Sequence, residues 1–209
     1  MTKPVERLFC LSAGPAAGVF YDDAPLDEAD AGRLAGQPRL AERPDWRTSR
    51  FLKAQARHEV LSLSHSRGYA ALLAGRGGLR CGVDVEVVRP RDFAALASWV
   101  CDGGERVFLT HGGWRAEDFY RLWCVKEALV KAAGLVFPAD MVRVGLVFCD
   151  EGCRLRVDGE SGWRGLSALL DGRLALACVW QGDAVLEWGF YGGLDAQALG
   201  GVVRYGESG

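Results

Sequence analysis

Two acids, Asp84 and Glu86, stand two positions apart in the run Cys81-Gly82-Val83-Asp84-Val85-Glu86. Side chains alternate along a strand, so Cys81, Val83, Val85 and Val87 share one face and Gly82, Asp84 and Glu86 the other. A solvated acidic face accounts for that pattern, and so does a pair of hard oxygen ligands for a divalent cation. A third acid, Glu127, lies 43 positions after Asp84 in the run LWCVKEALVKAAG, residues 122–134. On a helix, Trp123, Lys131 and Gly134 fall within about 40° of Glu127, and Leu122, Val125, Leu129, Ala132 and Ala133 gather on the far side. Glu127 and Lys131 could be an i, i+4 surface pair worth a few tenths of a kcal/mol. The indole of Trp123 is harder to dismiss, because the apolar stripe is complete without it. Something should cover it, either another part of the protein or a ligand.

The elements that must position these groups follow from pattern and punctuation. Residues 5–12 read as an opening strand, and 13–45 as a loop with a short helix around Asp27 to Leu34. A helix runs from Asp45 through Arg57, followed by strands at 60–66 and 69–75. The glycines of 75–79 turn the chain into the acidic strand. Helical patterns cover 91–109 and 117–133, and strands cover 141–148, 153–157, 173–180 and 186–191. Helices and strands mix without strict β-α-β alternation, which predicts an α+β fold. Turns at 150–152 and 171–172 predict a mostly antiparallel C-terminal sheet.

Composition narrows the function classes. The 209 residues are 49% hydrophobic and 25% charged, ordinary for a globular chain with a substantial core. A net charge of −2 supplies no global basic field for nucleic acid or an anionic membrane. Basic residues do cluster at Arg33, Arg39, Arg43, Arg47, Arg50, Lys53 and Arg57, but Glu42 and Asp45 are interspersed, as on a solvated amphipathic helix. The seven cysteines are scattered, and Cys149 and Cys153 form a lone C-x-x-x-C without a second pair. That pattern argues against zinc and for reduced, buried thiols in the cytoplasm. The N-terminal apolar run is too short for a signal peptide, and no stretch is long enough to span a bilayer.

Together these motifs resemble the 4′-phosphopantetheinyl transferases. Their signature of G-V/I-D-x-E on a strand and W-x-x-K-E-x-x-x-K on a later helix is matched by Gly82-Val83-Asp84-Val85-Glu86 and by Trp123 to Lys131. Ser64-His65-Ser66 stands where the family has its S-H-S segment, and the FYRLW lead-in at 119–123 is similar too. The likeness spans about residues 45 to 145. In length the chain resembles the Sfp type, in which two α+β units are fused as a pseudo-dimer with the site in the cleft between them. On that analogy the halves are 1–80 and 81–209, and a monomer suffices. In one respect the chain departs from the type: Arg57-His58-Glu59 runs straight into Val60, where Sfp-type enzymes carry a longer segment with a Gly-Lys-Pro turn.

The resemblance implies transfer of phosphopantetheine from coenzyme A to a serine of an apo acyl or peptidyl carrier protein, with 3′,5′-ADP released. It implies Mg²⁺ held by Asp84, Glu86 and Glu127, which suits the cleavage of a charged diphosphate. Glu127, or a water it orients, would accept the serine proton, and Lys131 would hold a phosphate oxygen. Ser64 and His65, with Arg47 and Thr48 on the preceding helix, would serve the 3′-phosphate of the coenzyme, although a lone histidine is more often structural. Arg89 stands where the family often has a lysine near the coenzyme. A Mg²⁺-dependent nucleotide hydrolase would also use three acids and a lysine, but the chain lacks a G-x-x-x-x-G-K-[ST] loop. A relative that binds coenzyme A or a carrier without turnover is the remaining alternative, and the intact acids and lysine argue against it.

Overall fold

The run Leu174 to Trp180 has no polar face, which requires a strand covered on both sides. The computed structural model, which describes residues 5–149 and 152–206, supplies that cover. The strand β8 (Leu174–Gln181) lies inside a stack of helix, sheet, sheet and helix. Ala175, Ala177 and Val179 face the outer helix, and Leu174, Leu176, Cys178 and Trp180 face the second sheet.

One sheet is built from β1 (Glu6–Ala13), β2 (Glu59–Ser66), β3 (Tyr69–Gly75) and β9 (Ala184–Tyr191), in the order β2-β3-β1-β9. The other contains β4 (Cys81–Val87), β7 (Trp163–Leu170), β8 and β10 (Leu199–Tyr205), in the order β10-β7-β8-β4. Pairing is antiparallel throughout except between β1 and β9. The helices are α1 (Glu28–Gly36), α2 (Pro44–Gln55), α3 (Phe93–Val100), α4 (Gly103–His111) and α5 (Ala116–Ala133). A hairpin of β5 (Val144–Cys149) and β6 (Gly152–Val157) packs beside α4 and α5. The protein is therefore α+β with mainly antiparallel sheets.

The same path is run twice. The strand β1, the helix α2 and the hairpin β2-β3 give the local order β2-β3-β1, and β4, α5 and β7-β8 give β7-β8-β4. Leu52 of α2 packs on Leu11, Ala70 and Leu72, as Val125 and Leu129 of α5 pack on Ala175 and Ala177. Residues 184–191, far beyond position 80, pair with β1 in the first sheet.

Several elements differ from the sequence expectation. The helix expected over 91–109 breaks at Cys101, where Asp102 and Glu105 form a reciprocal capping box. The D-G-G-E run at 102–105 carried that signal. Strands β7 and β10 were not expected, because neither has a clean alternation. The turn expected at 150–152 falls partly outside the described residues. The basic stretch 33–57 is not a single solvated helix: Arg50 is buried and Nε lies 2.7 Å from Asp30, which is itself buried. Five of the seven cysteines are buried as free thiols, with Cys149 exposed and Cys153 half-buried. Among the described residues no helix is long and apolar enough to cross a membrane.

The placement of α5 depends on Gly82. A Cβ there would sit 2.0 Å from the Ala128 carbonyl oxygen, so only glycine lets the helix lie this close to β4. Gly134, with φ of +67°, ends α5 in the left-handed conformation. Gly82→Ala is expected to lower stability by about 2–3 kcal/mol in urea melts through overpacking against the α5 backbone. An unchanged midpoint would contradict this close approach.

Candidate active site

Because Gly82 seats α5 on β4, the strand's polar face is turned onto the helix. Asp84, Glu86 and Glu127 converge, each offering a carboxylate oxygen, with all three oxygens within 4.8 Å of one another. Asp84 is 2% exposed, and the other two are half-buried. Lys131 Nζ donates to Asp84 Oδ1 at 2.8 Å and to the Val83 carbonyl at 3.0 Å. Its ion-pair partner is therefore Asp84, not Glu127 one turn away. Ser64 Oγ also donates to Asp84 Oδ1, at 2.7 Å, and Ser66 Oγ donates to Glu86 Oε2 at 2.7 Å. Asp84 Oδ2 is buried with no hydrogen-bond partner. A buried, unpartnered carboxylate oxygen is costly unless something positive meets it. Three hard oxygen donors within 4.8 Å of one another fit Mg²⁺ in type and number.

Electrostatics agree with this crowding. Burial, then the charge of Asp84, pushes Glu127 up to about 7, against the opposing pull of Lys131. Burial raises Glu86 as well, with Asp84 adding to it and the Ser66 hydrogen bond opposing. The Trp123 ring packs against Phe119 at 5.8 Å and Phe137 at 6.2 Å, and the indole pulls weakly against the rise at Glu127. The indole thus has the cover its position demanded.

The lysine beside Glu127 has a different role. Lys126 is fully buried, and its Nζ donates to Glu105 Oε2 at 2.7 Å and to the Val144 carbonyl at 2.5 Å. Glu105 also accepts from the backbone N–H groups of Leu146 and Asp102, so the pair ties α5 to α4 and the β5-β6 hairpin. Gly145 leaves room for it, since a Cβ there would lie 1.7 Å from Glu105 Oε1.

The other expected residues are spread around a second feature. His65 points away from Ser64, as strand alternation demands, toward a cavity of about 240 Å³ lined by Arg33, Arg43, Asp45, Arg50 and Leu63. Arg47 does not line it. Its guanidinium donates to the carbonyls of Gly18 and Ala41, pairs with Asp22 and covers the Tyr21 ring. Thr48 is buried, 3.3 Å from where a Cβ on Gly18 would be. Arg89 lies just past β4, half-buried. Sequence reasoning missed Ser66, Arg43 and Arg91, the last of which adds positive charge near Tyr120 and Glu86. Alternation along Ser62-Leu-Ser-His-Ser66 was the available signal for Ser66, since it puts the three serines on one face.

Comparison with known proteins bears on the same region. The model of the 4′-phosphopantetheinyl transferase superfamily matches residues 80–168, which contain β4 and α5. The chain is 32% identical over 143 residues to 4′-phosphopantetheinyl transferase AcpT of Salmonella typhi, covering 61% of this chain and 71% of that protein. It is 41% identical over 76 residues to the protein of the same name from Escherichia coli K12, covering 35% of this chain and 38% of that one. The second match therefore spans well under half of either protein.

The raised Glu127 makes a pH-dependent contribution to stability. Its folded value of about 7 exceeds the ordinary 4.5, so the folded state holds the proton more tightly than the unfolded chain. That contribution is complete below 4.5 and is lost as pH rises through 7. The metal-free protein is expected to lose melting temperature between pH 5 and 8, and Glu127→Gln should flatten that slope relative to wild type. Parallel pH curves for the two proteins would contradict the shift.

Proposed function

Because the chain belongs to the 4′-phosphopantetheinyl transferase superfamily, we propose that it transfers 4′-phosphopantetheine from coenzyme A to a serine hydroxyl of an apo acyl or peptidyl carrier protein. The observation that carries this reading is the cluster of three carboxylates, in which Asp84 Oδ2 is buried without a hydrogen-bond partner and Lys131 pairs with Oδ1. Asp84, Glu86 and Glu127 would hold Mg²⁺, which when bound neutralises charge on the diphosphate.

The serine oxygen of the carrier attacks the pantetheine-side phosphorus, the diphosphate bond breaks, and 3′,5′-ADP leaves with the bonding electrons. Glu127, or a water it orients, would take the serine proton. Lys131, one-third exposed while paired to Asp84, offers a fixed positive charge to a phosphate oxygen at the mouth of the site. Arg33, Arg43 and His65 line a cavity whose charge suits the coenzyme's 3′-phosphate. Ser64 and Arg89 are further candidates for coenzyme contact, and Arg47 and Thr48 shore up the segment behind the cavity.

The twice-run path of strand, helix and hairpin supports a fused pseudo-dimer. In that arrangement one chain supplies both walls of the cleft, and a monomer is sufficient. Seven free thiols suit a reducing compartment, so we assign the reaction to the cytoplasm.

The test is incubation with coenzyme A, Mg²⁺ and a panel of apo carriers, read by mass spectrometry. At least one carrier should gain the mass of one phosphopantetheine, and the absence of any gain across acyl and peptidyl carriers would overturn the reading. Asp84→Ala and Glu127→Ala are expected to abolish transfer in folded protein. Lys131→Met should lower kcat/KM by about 10²-fold, roughly 2.7 kcal/mol of transition-state stabilisation, with Lys131→Arg rescuing only part. Unchanged kinetics for Lys131→Met would remove it from the phosphate site.

A further inference from the structure

The strands β2 and β4 are the edge strands of different sheets, and they meet along a row of serine hydroxyls. Ser62 Oγ accepts from the Val83 N–H at 3.0 Å. Ser64 Oγ donates to Asp84 Oδ1, and Ser66 Oγ donates to Glu86 Oε2 while accepting from the Val87 N–H at 3.4 Å. The alternation of Ser62, Ser64 and Ser66 on β2 thus matches the alternation of β4, and each hydroxyl meets a defined group. Two of the three meet carboxylates of the proposed cation cluster.

We propose that Ser64 and Ser66 are positioning residues for the cation, holding Asp84 and Glu86 from the opposite sheet. The inference rests on the metal reading above and adds a contribution from the first half of the chain. Each serine occupies one carboxylate oxygen and leaves the other for a ligand. On Asp84 the occupied atom is Oδ1, shared with Lys131, and Oδ2 remains buried without a partner. A donor on the back of each acid fixes its rotamer and offsets part of its repulsion from the neighbouring carboxylates before any cation arrives. Such outer contacts to metal-ligating carboxylates are typically worth ten- to a hundredfold in affinity. Ser62, which meets only backbone, closes the edge of β4 and contributes nothing directly to the cluster.

Mn²⁺ alone, titrated against the full chain and followed by electron paramagnetic resonance, tests this without turnover. Ser66→Ala and Ser64→Ala should each weaken Mn²⁺ binding by about tenfold. Ser66→Thr, which keeps the hydroxyl, should restore most of the loss, and Ser62→Ala should lower the melting temperature with Mn²⁺ affinity unchanged. If Ser64→Ala fails to fold, the Ser66 comparison decides alone. Wild-type affinity in Ser66→Ala, or an equal loss in Ser62→Ala, overturns the positioning role while leaving the metal site standing. Wild-type protein that binds no Mn²⁺, or binds it no better than Glu127→Gln, overturns the metal reading and this inference with it.

Discussion

Asp84, Glu86 and Glu127 present oxygens within 4.8 Å of one another in a partly desolvated site, and the repulsion among them is the constraint around which the neighbouring structure is arranged. At such separations like charges cost on the order of several kcal/mol at an effective dielectric near 20. The protein divides that cost among several groups. Lys131 and Ser64 both donate to one oxygen of Asp84, and Ser66 donates to Glu86. Burial, together with what remains of the repulsion, shows in the raised pKa of Glu127. A cation that met all three carboxylates would remove the remainder, which links binding to stability.

Containing repulsion needs rigid supports, and two features provide them. Gly82 lets the α5 backbone approach β4 to a distance that any side chain would forbid. The buried Lys126–Glu105 pair, completed by the Val144 carbonyl and two backbone N–H groups, locks the other side of α5 to α4 and the β5-β6 hairpin. A buried ion pair of this kind is weak evidence for added stability, because desolvation offsets most of its attraction. Its value lies in specificity. An apolar pair would tolerate a sliding helix, but a lysine with two fixed acceptors does not. Adjacent residues of α5 therefore divide the labour, with Lys126 holding the helix and Glu127 joining the carboxylate cluster.

Much of this was legible in the residues. Strand alternation places Gly82, Asp84 and Glu86 together, and helical spacing brings Glu127, Lys131 and Trp123 to one side. Local pattern carried that information. What it did not carry was the partner of each group across the fold. Lys131 pairs with Asp84, 47 positions away, rather than with Glu127 one turn back. Arg47 stood in a plausible place on α2, one turn after Arg43 and just under one turn before Arg50, so helical spacing does not separate the three. Arg43 and Arg50 line the cavity with His65 while Arg47 points at Gly18 and Asp22. Strand β7 escaped notice because burial in a stacked sheet erases the alternation that marks a half-exposed strand, and β10 because it is a mostly exposed edge strand with paired glycines and a shifted register.

The junction of β2 with β4 shows why hydroxyls occur here rather than a continuous sheet. A regular ladder between the two strands would join the sheets into one and hold neighbouring backbones about 4.8 Å apart. The acids of β4 would then lie in line with side chains of β2 on a common face, with no cleft beside them. Serine side chains bridge a longer gap while still satisfying the Val83 and Val87 N–H groups of an edge strand that would otherwise be open to pairing. The sheets stay stacked face to face over their shared apolar core, and their edges meet only through short polar side chains. The acids of one sheet thereby come within reach of donors from the other. A cluster at such a seam needs both sheets in register, and the connection from β3 to β4 ties the two sheets together close to the acids.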